Sequence, residues 1–149
     1  LWGHNVEKWD HVIFRRAHQN IKSLIEEDND PLRIICDRAH AKDMLLYPTL
    51  LAQLPSGVRG GPGYDIRSSD FRLDNPQLEI GASENISPSY PGLHCADFKH
   101  QEVRDERFGI INEVLNNYPV DGFELQLNFW PYYFHPKEIQ STLFHFYFQ

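Results

Sequence analysis

Three polar side chains share one face of a predicted strand near the end of the chain. In VDGFELQLNFWPYYF (120–134), Glu124, Gln126 and Asn128 alternate with apolar residues, and an alternation of period two puts the two sets on opposite faces of a strand. If the polar face meets bulk water, the segment is an ordinary half-exposed strand of an antiparallel sheet. If it faces the inside of a barrel, the carboxylate and the two amides form a site.

The helices that must position this strand are predicted from apolar spacing. An amphipathic helix is expected over 12–27. A second helix follows Asp30, a natural N-cap, because Pro31 fits the first helical turn; it should end near Asp43. A third helix is predicted over 100–118, and HPKEI (135–139) resembles the start of a fourth.

Three short strands are predicted between these helices. The apolar run MLLYPTLLAQ (44–53) is typical of a strand buried on both faces of a parallel sheet, although its Pro48 cannot donate to a strand ladder. The other two strands are expected at 93–97 and 123–128. The Gly-, Pro-, Ser- and Asp-rich segment 54–77 is long enough to predict a loop that is either functional or disordered.

Strands that alternate with helices indicate an α/β fold with a parallel sheet. Helices cover both faces of an open parallel sheet, where the polar face of 124–128 would be buried without partners. In a (β/α)8 barrel, polar side chains near the carboxyl ends of the strands meet the substrate. We therefore predict a partial (β/α)8 TIM barrel. Because a full barrel needs about 250 residues, residues 1–149 are interpreted as a single segment of such a domain, truncated at both ends.

The composition excludes several classes of partner. A formal net charge of −7 argues against nucleic acid and anionic membrane surfaces, which require clustered Lys and Arg. No run of about 20 apolar residues could span a bilayer.

Cys36 and Cys95 lack metal or disulfide spacing and are predicted to be buried thiols. The eight histidines form no H-x-H or H-E-x-x-H motif, so we predict no metal and no cofactor.

Two neighbouring motifs resemble a known family. CADF (95–98) and HQEVRDERFGIINEVLNNYPVDGFELQLNFWPYYF (100–134) are similar to the third-to-fourth-strand region of glycoside-hydrolase barrels. That region combines a strand ending in Asp, a helix starting with E-V-R, and V-D-G followed by alternating hydrophobic residues. DPLRIICDRAHAKDMLLYPTLL (30–51) and DFRLDNPQLEIG (70–81) resemble the preceding helix, strand and loop of glycosyl-hydrolase-like barrel proteins. The resemblance therefore covers about 30–136.

The resemblance implies that Glu124, Gln126 and Asn128 lie at a sugar-facing mouth, with Asp97 at the end of the preceding strand. Glycoside hydrolysis generally needs two carboxyl groups. Glu124 is the candidate acid/base or the carboxylate that orders sugar hydroxyls, and Asp97 is the candidate second carboxylate. The alternatives are a structural Glu124 paired with a basic residue and an Asp97 that orders a turn. Relatives carry Asp where this chain has Gln126, which cannot ionise, so an amylase-type mechanism through this position is not expected.

Aromatic and loop residues complete the predicted substrate site. Trp130 and Tyr132 follow the strand directly, in a run that continues with Tyr133 and Phe134, and flat rings there could stack on pyranose faces. The alternative is that half of these rings plug the barrel rim. Asp70, with Asp65 and Arg67, could reach the mouth from the long loop, although a solvated loop is the simpler interpretation.

Together these features predict a glycoside hydrolase whose partner is an oligosaccharide or polysaccharide. The activity is expected of a larger parent protein, and the isolated segment is expected to be inactive. The rival hypothesis is a non-catalytic carbohydrate-binding barrel or inactive relative, which Gln126 suggests. A barrel amidohydrolase is a third alternative, disfavoured by the missing histidine pair.

Overall fold

A computed structural model of the chain describes residues 12–55, 69–83 and 85–138. Its elements are α1 (Val12–Glu26), α2 (Pro31–His40), β1 (Thr49–Leu51), α3 (Asp70–Asp74), α4 (Gln101–Asn117) and β2 (Glu124–Gln126), with 3-10 turns at Pro76–Leu78 and Ile80–Ala82. The described residues group into two compact units. The first unit contains 12–50 and 110–124, and the second contains 51–55, 69–83, 85–109 and 125–138.

The sheet corrects the predicted fold class. Within the described ranges it has two strands, β1 and β2, which run parallel and do not close. Glu124 N donates to Pro48 O at 2.9 Å, and Ala52 N donates to Gln126 O at 3.1 Å. Two strands are too few for part of a barrel wall, so the predicted partial (β/α)8 TIM barrel is wrong.

The strands are shorter than the sequence patterns indicated. Of the run 44–53, only the three residues of β1 form a strand. Met44 and Leu45, at the start of the run, are exposed, so the run is not buried on both faces. At 93–97 the chain forms turns and a single antiparallel bridge between Glu79 and Ala96. The alternating apolar face at 123–128 also failed as a guide to burial, because Leu125 and Leu127 are exposed.

Helices α1, α2 and α4 were predicted correctly, whereas α3 lies in the segment 54–77 that was predicted to be a loop. In the first unit, Asp30 caps α2 by accepting hydrogen bonds from Leu32 N and Arg33 N. The α2 helix ends where Met44 N donates to Ala39 O, with Asp43 at φ 55°. This left-handed conformation is one that Asp tolerates better than most residues. Helix α1 closes in the same way at Asp28, with φ 61°.

Two aspartates connect distant segments of the first unit. Tyr118 Oη donates to Asp30 Oδ2 at 2.5 Å, and the Arg33 guanidinium lies over the Tyr118 ring. Asp121 Oδ2 accepts from Leu46 N at 2.8 Å and lies 2.9 Å from His40 Nε2. These contacts join α2 and the segment before β1 to the turn that leads into β2.

The second unit is built around buried loops and turns. Its buried apolar residues are Ala52, Ile80, Cys95, Ala96 and Val103. Segment 78–81 pairs with 93–97 through bonds from Ile80 N to Cys95 O and from Asp97 N to Leu78 O. Residues 136–138 form one helical turn, as predicted for HPKEI, and the rest of that predicted helix lies outside the described residues. The described helices are too short or too polar to cross a lipid bilayer.

Candidate functional site

The candidate catalytic residue Glu124 is the first residue of β2 and is exposed. Its Oε2 accepts a hydrogen bond from Thr49 Oγ1 at 3.2 Å, across the parallel pair of strands. The carboxylate is therefore accessible to a ligand from solvent. It does not face the interior of a barrel, because the sheet does not form one.

The second candidate carboxylate, Asp97, is completely buried in the second unit. Its Oδ1 accepts from Lys99 N at 3.1 Å, which is the bond that orders an Asx turn. Its Oδ2 lies 3.0 Å from Lys99 Nζ in an ion pair. These contacts favour the turn-ordering role, and neither unit contains both Asp97 and Glu124.

Lys99 is the charged partner that holds Asp97 in place. Its ammonium also donates to Ser83 Oγ at 2.9 Å and lies 3.6 Å from Glu138 Oε1. The Asp97 carboxylate raises the pKa of Lys99, against the opposing effect of burial. The side chain is therefore a cation at neutral pH and is not a nucleophile.

The two predicted amide contacts lie at the exit of β2. Gln126 is half-buried and its carbonyl accepts the ladder bond from Ala52. Asn128 is exposed two residues later. The polar face therefore ends in one accessible amide, directly beside the aromatic residues.

We call residues 127–133 the aromatic loop, which includes Trp130, Tyr132 and Tyr133. The loop is closed on itself, since Tyr133 Oη donates to Leu127 O at 2.8 Å. Its far end is fixed by a bond from Phe98 N to Tyr133 O at 2.8 Å. The Tyr133 ring also packs edge-on against Phe98, with ring centroids 5.1 Å apart.

Three rings of the second unit form a cluster, which we call the ring cluster: Tyr90, Trp130 and Tyr132. Tyr132 meets Tyr90 edge-on, at a centroid distance of 5.5 Å and an interplanar angle of 77°. Trp130 is tilted by 44° from Tyr132 at 5.8 Å. All three side chains are half-buried, so each keeps part of its surface in water. Burial, followed by the effect of Tyr132, raises the pKa of Tyr90 above its ordinary value of 10.0.

A buried amide side chain hydrogen-bonds to the backbone that carries the ring cluster. Gln53 is 1% exposed, and its Nε2 donates to both Tyr132 O and Ala96 O at 2.8 Å. Its Oε1 accepts from Ala96 N at 3.2 Å and from Arg72 Nη1 at 3.4 Å. The side chain thus joins the end of β1 to the aromatic loop, with its polar atoms satisfied.

Arg72 is the charged residue of this support. It is buried, and it donates to the carbonyls of Leu54 and His94 as well as to Gln53. Burial, followed by the nearby charge of Arg107, lowers the pKa of Arg72. Through its three hydrogen bonds, the guanidinium connects three loop segments.

The described part of the long loop forms a short helix. Asp70 begins the short helix α3, which Ser69 caps by accepting from Arg72 N. Asp65 and Arg67, the other predicted loop candidates, lie outside the described residues. In the parts of the chain that the structure covers, no cluster of His, Cys, Asp and Glu has the arrangement of a metal site.

Sequence reasoning missed Gln53, Arg72, Tyr90 and Gly92. Gln53 and Tyr132 are 79 positions apart, and a pairing over such a separation leaves no local periodicity. The only signal for Arg72 was its position in a long loop. The predicted buried thiols Cys36 and Cys95 are confirmed as free and buried.

Comparison of the chain with models of known protein families, with characterised proteins and with solved structures returned no match. The resemblance to glycosyl-hydrolase-like barrels therefore stays a hypothesis drawn from the motifs alone.

Proposed function

We propose that this chain binds carbohydrate at the aromatic loop without cleaving it. The observation that carries the proposal is the ring cluster, in which partly exposed Trp and Tyr rings lie on a loop with a fixed backbone. A sugar ring has an apolar face of C–H groups and a rim of hydroxyls. Aromatic rings with a polar tip match both features.

The hydrogen bonds around the aromatic loop support binding because they fix the loop before a ligand arrives. The contacts of Tyr133 Oη and Gln53 hold both its ends. A loop that is already ordered loses little conformational entropy on binding, which increases the affinity obtained from a given set of contacts. The exposed amide of Asn128 adds a donor and an acceptor for sugar hydroxyls.

The positions of the carboxylates favour binding over hydrolysis. Hydrolysis of a glycosidic bond generally uses two carboxyl groups on either side of the bond. Asp97 is fully buried against Lys99 and cannot reach a ligand in solvent without leaving its ion pair. Gln126 cannot ionise.

The proposal is tested by calorimetric titration of the chain with soluble hexasaccharides of glucose, xylose and mannose in several linkages. We expect at least one to bind, and Trp130→Ala and Tyr132→Ala to weaken that binding roughly tenfold or more. Phe108→Ala removes an exposed ring from α4, outside the ring cluster, and should leave the affinity unchanged. Absence of binding to these hexasaccharides and to crystalline polysaccharide, or equal binding by the Trp130→Ala/Tyr132→Ala double variant, would refute the proposal.

Hydrolysis with Glu124 as acid/base or substrate-ordering carboxylate is the second candidate function. The accessible position of Glu124, with a neutral hydroxyl as its partner, favours it. The test is release of new reducing ends from the same hexasaccharides. If the chain hydrolyses them, Glu124→Gln should reduce the rate by orders of magnitude and preserve binding, whereas an unchanged rate would remove Glu124 from the mechanism.

A further inference from the structure

We propose that the ring cluster selects single, soluble carbohydrate chains and does not bind the flat faces of crystalline polysaccharides. This inference rests on the carbohydrate-binding function proposed above and goes further by naming the physical form of the ligand.

The planes of the three rings differ in direction. A crystal face presents many sugar rings in one plane, so a protein binds it best with several aromatic rings that are coplanar. Here Tyr90 and Tyr132 are inclined by 77°, and Trp130 and Tyr132 by 44°. No two of these contacting rings can lie flat on the same plane. They form a corner, which suits a ligand that presents surfaces in more than one direction.

The close approach of Tyr90 and Tyr132 depends on a glycine between them. Both rings pack against Gly92, where an added Cβ would lie 2.7 Å from Tyr132 Cβ and 2.7 Å from Tyr90 Cε1. Such distances are far inside van der Waals contact, so the bare Cα of Gly92 is what permits this approach. Gln53 also holds the Tyr132 carbonyl, so the backbone that carries this ring is fixed as well.

A single sugar chain fits this corner for chemical reasons. One pyranose can place its apolar face on one ring while its rim hydroxyls reach the phenol of the other. The Tyr90 hydroxyl is protonated at neutral pH, as in any tyrosine, and can donate to such a group. The next sugar in a flexible chain can rotate about the glycosidic bond to meet the tilted Trp130.

Two measurements on the same preparation of the full chain test the inference. The first is calorimetric titration with the soluble hexasaccharides named above. The second is depletion of the chain from solution by microcrystalline cellulose and by crystalline chitin. We expect a measurable Kd for a soluble hexasaccharide, and retention on the crystals that is no greater for the native chain than for Tyr132→Ala.

Further variants keep the interpretation clear if Tyr132→Ala unfolds. Tyr132→Phe keeps the ring and should bind soluble chains within a few-fold of the native protein, while Tyr90→Ala opens the corner and should weaken binding roughly tenfold. Phe108→Ala is the matched control and should change neither measurement.

The outcomes separate the two proposals. Retention on crystalline polysaccharide that Tyr132→Ala abolishes would overturn the ligand form inferred here and leave carbohydrate binding intact. Failure to bind any soluble or crystalline carbohydrate would overturn both.

Discussion

The two units of the molecule place their polar side chains in opposite ways. Every buried polar residue among those described lies in the second unit: Gln53, Arg72, Glu79, Asp97 and His135. In the described part of the first unit the buried residues are Cys36 and Ala39, and the polar contacts of Asp30 and Asp121 lie at or near the surface.

This difference explains why the second unit is suited to hold the ring cluster in place. A buried hydrogen bond is costly to break because water cannot replace the lost partner. Buried polar side chains such as Gln53 therefore fix the backbone of the aromatic loop in one position. Contacts such as that of Asp121 can exchange with water, so they join segments without imposing the same precision.

The largest expected effect is that of Gln53→Leu. The substitution removes the hydrogen bonds to Tyr132 and Ala96 and leaves buried backbone groups without partners. We expect a loss of about 3 kcal/mol or more in the free energy of unfolding, measured by urea denaturation. Hydrogen exchange should rise first in peptides of the second unit.

A matched control is Gln77→Leu. Gln77 is an exposed amide of the same unit that donates to Asn75 Oδ1. Its replacement should change the free energy of unfolding by no more than about 0.5 kcal/mol. Equal losses from Gln53→Leu and Gln77→Leu would contradict the stabilising role assigned to the buried amide.

Two glycine substitutions compare the units directly. At Gly92 a new methyl group would collide with the rings of Tyr90 and Tyr132, which are packed on both sides. At Gly122 it would meet the Tyr47 ring, which is 51% exposed and can rotate into water. We expect Gly92→Ala to destabilise the protein by about 1–3 kcal/mol and Gly122→Ala by less than about 0.5 kcal/mol. Thermal unfolding followed by circular dichroism measures both changes. A larger loss for Gly122→Ala than for Gly92→Ala would contradict this expectation.

In the first unit, Asp30→Ala should have an intermediate effect. It removes the α2 N-cap and the acceptor of the Tyr118 hydroxyl, which together should cost about 1–2 kcal/mol. Burial opposes ionisation of Asp30, but the bonds from Tyr118 and from the backbone outweigh it and lower its pKa below 3.8. The hydrogen bond to Asp30 raises the pKa of Tyr118 from 10.0 to about 12.

The signs of these shifts define two pH windows. The contribution of Asp30 is present above pH 3.8 and is lost as the pH falls through its lower folded value. The contribution of Tyr118 is present below pH 10.0 and is lost as the pH rises towards about 12. Urea denaturation across the pH range should show both slopes in the native chain. Persistence of both in Asp30→Ala would assign them to other groups.

The smallest expected effect is that of Asp121→Asn. The bond from Leu46 N, followed by that from His40, lowers the pKa of Asp121. Asparagine keeps one oxygen that can accept from Leu46 N, and loses the charge and the second acceptor oxygen. We expect somewhat faster hydrogen exchange at the Leu46 amide at neutral pH and no detectable global destabilisation. Unfolding of the protein by this substitution would show that the surface contact is essential.

Local signals in the sequence predicted α1, α2 and α4, missed the short helix α3 and failed for the sheet. Asp30 followed by Pro31 fixes the start of α2, because cap and first turn are decided by adjacent residues. A strand depends on partners elsewhere in the chain. Met44 and Leu125 were predicted to lie on buried faces of strands but are exposed. Apolar runs and alternation therefore did not identify how the strands pair.

The candidate site was predictable only in part. Trp130 and Tyr132 were identified because aromatic residues directly after a strand are visible in sequence. Tyr90 and Gly92 were missed because their importance arises from packing against a ring some forty positions away. The burial of Asp97 also required coordinates, since an Asp beside a turn has the same sequence pattern whether it is exposed or enclosed.

The two buried cysteines give each unit its own chemical reporter. Cys36 lies in the first unit and Cys95 in the second, and both are fully enclosed. Burial raises the pKa of Cys36 and brings that of Cys95 to about 11, so neither thiol reacts readily with an alkylating reagent while its surroundings stay folded. Mass spectrometry of the chain after brief alkylation in increasing denaturant would therefore read the opening of each half separately, without any introduced label.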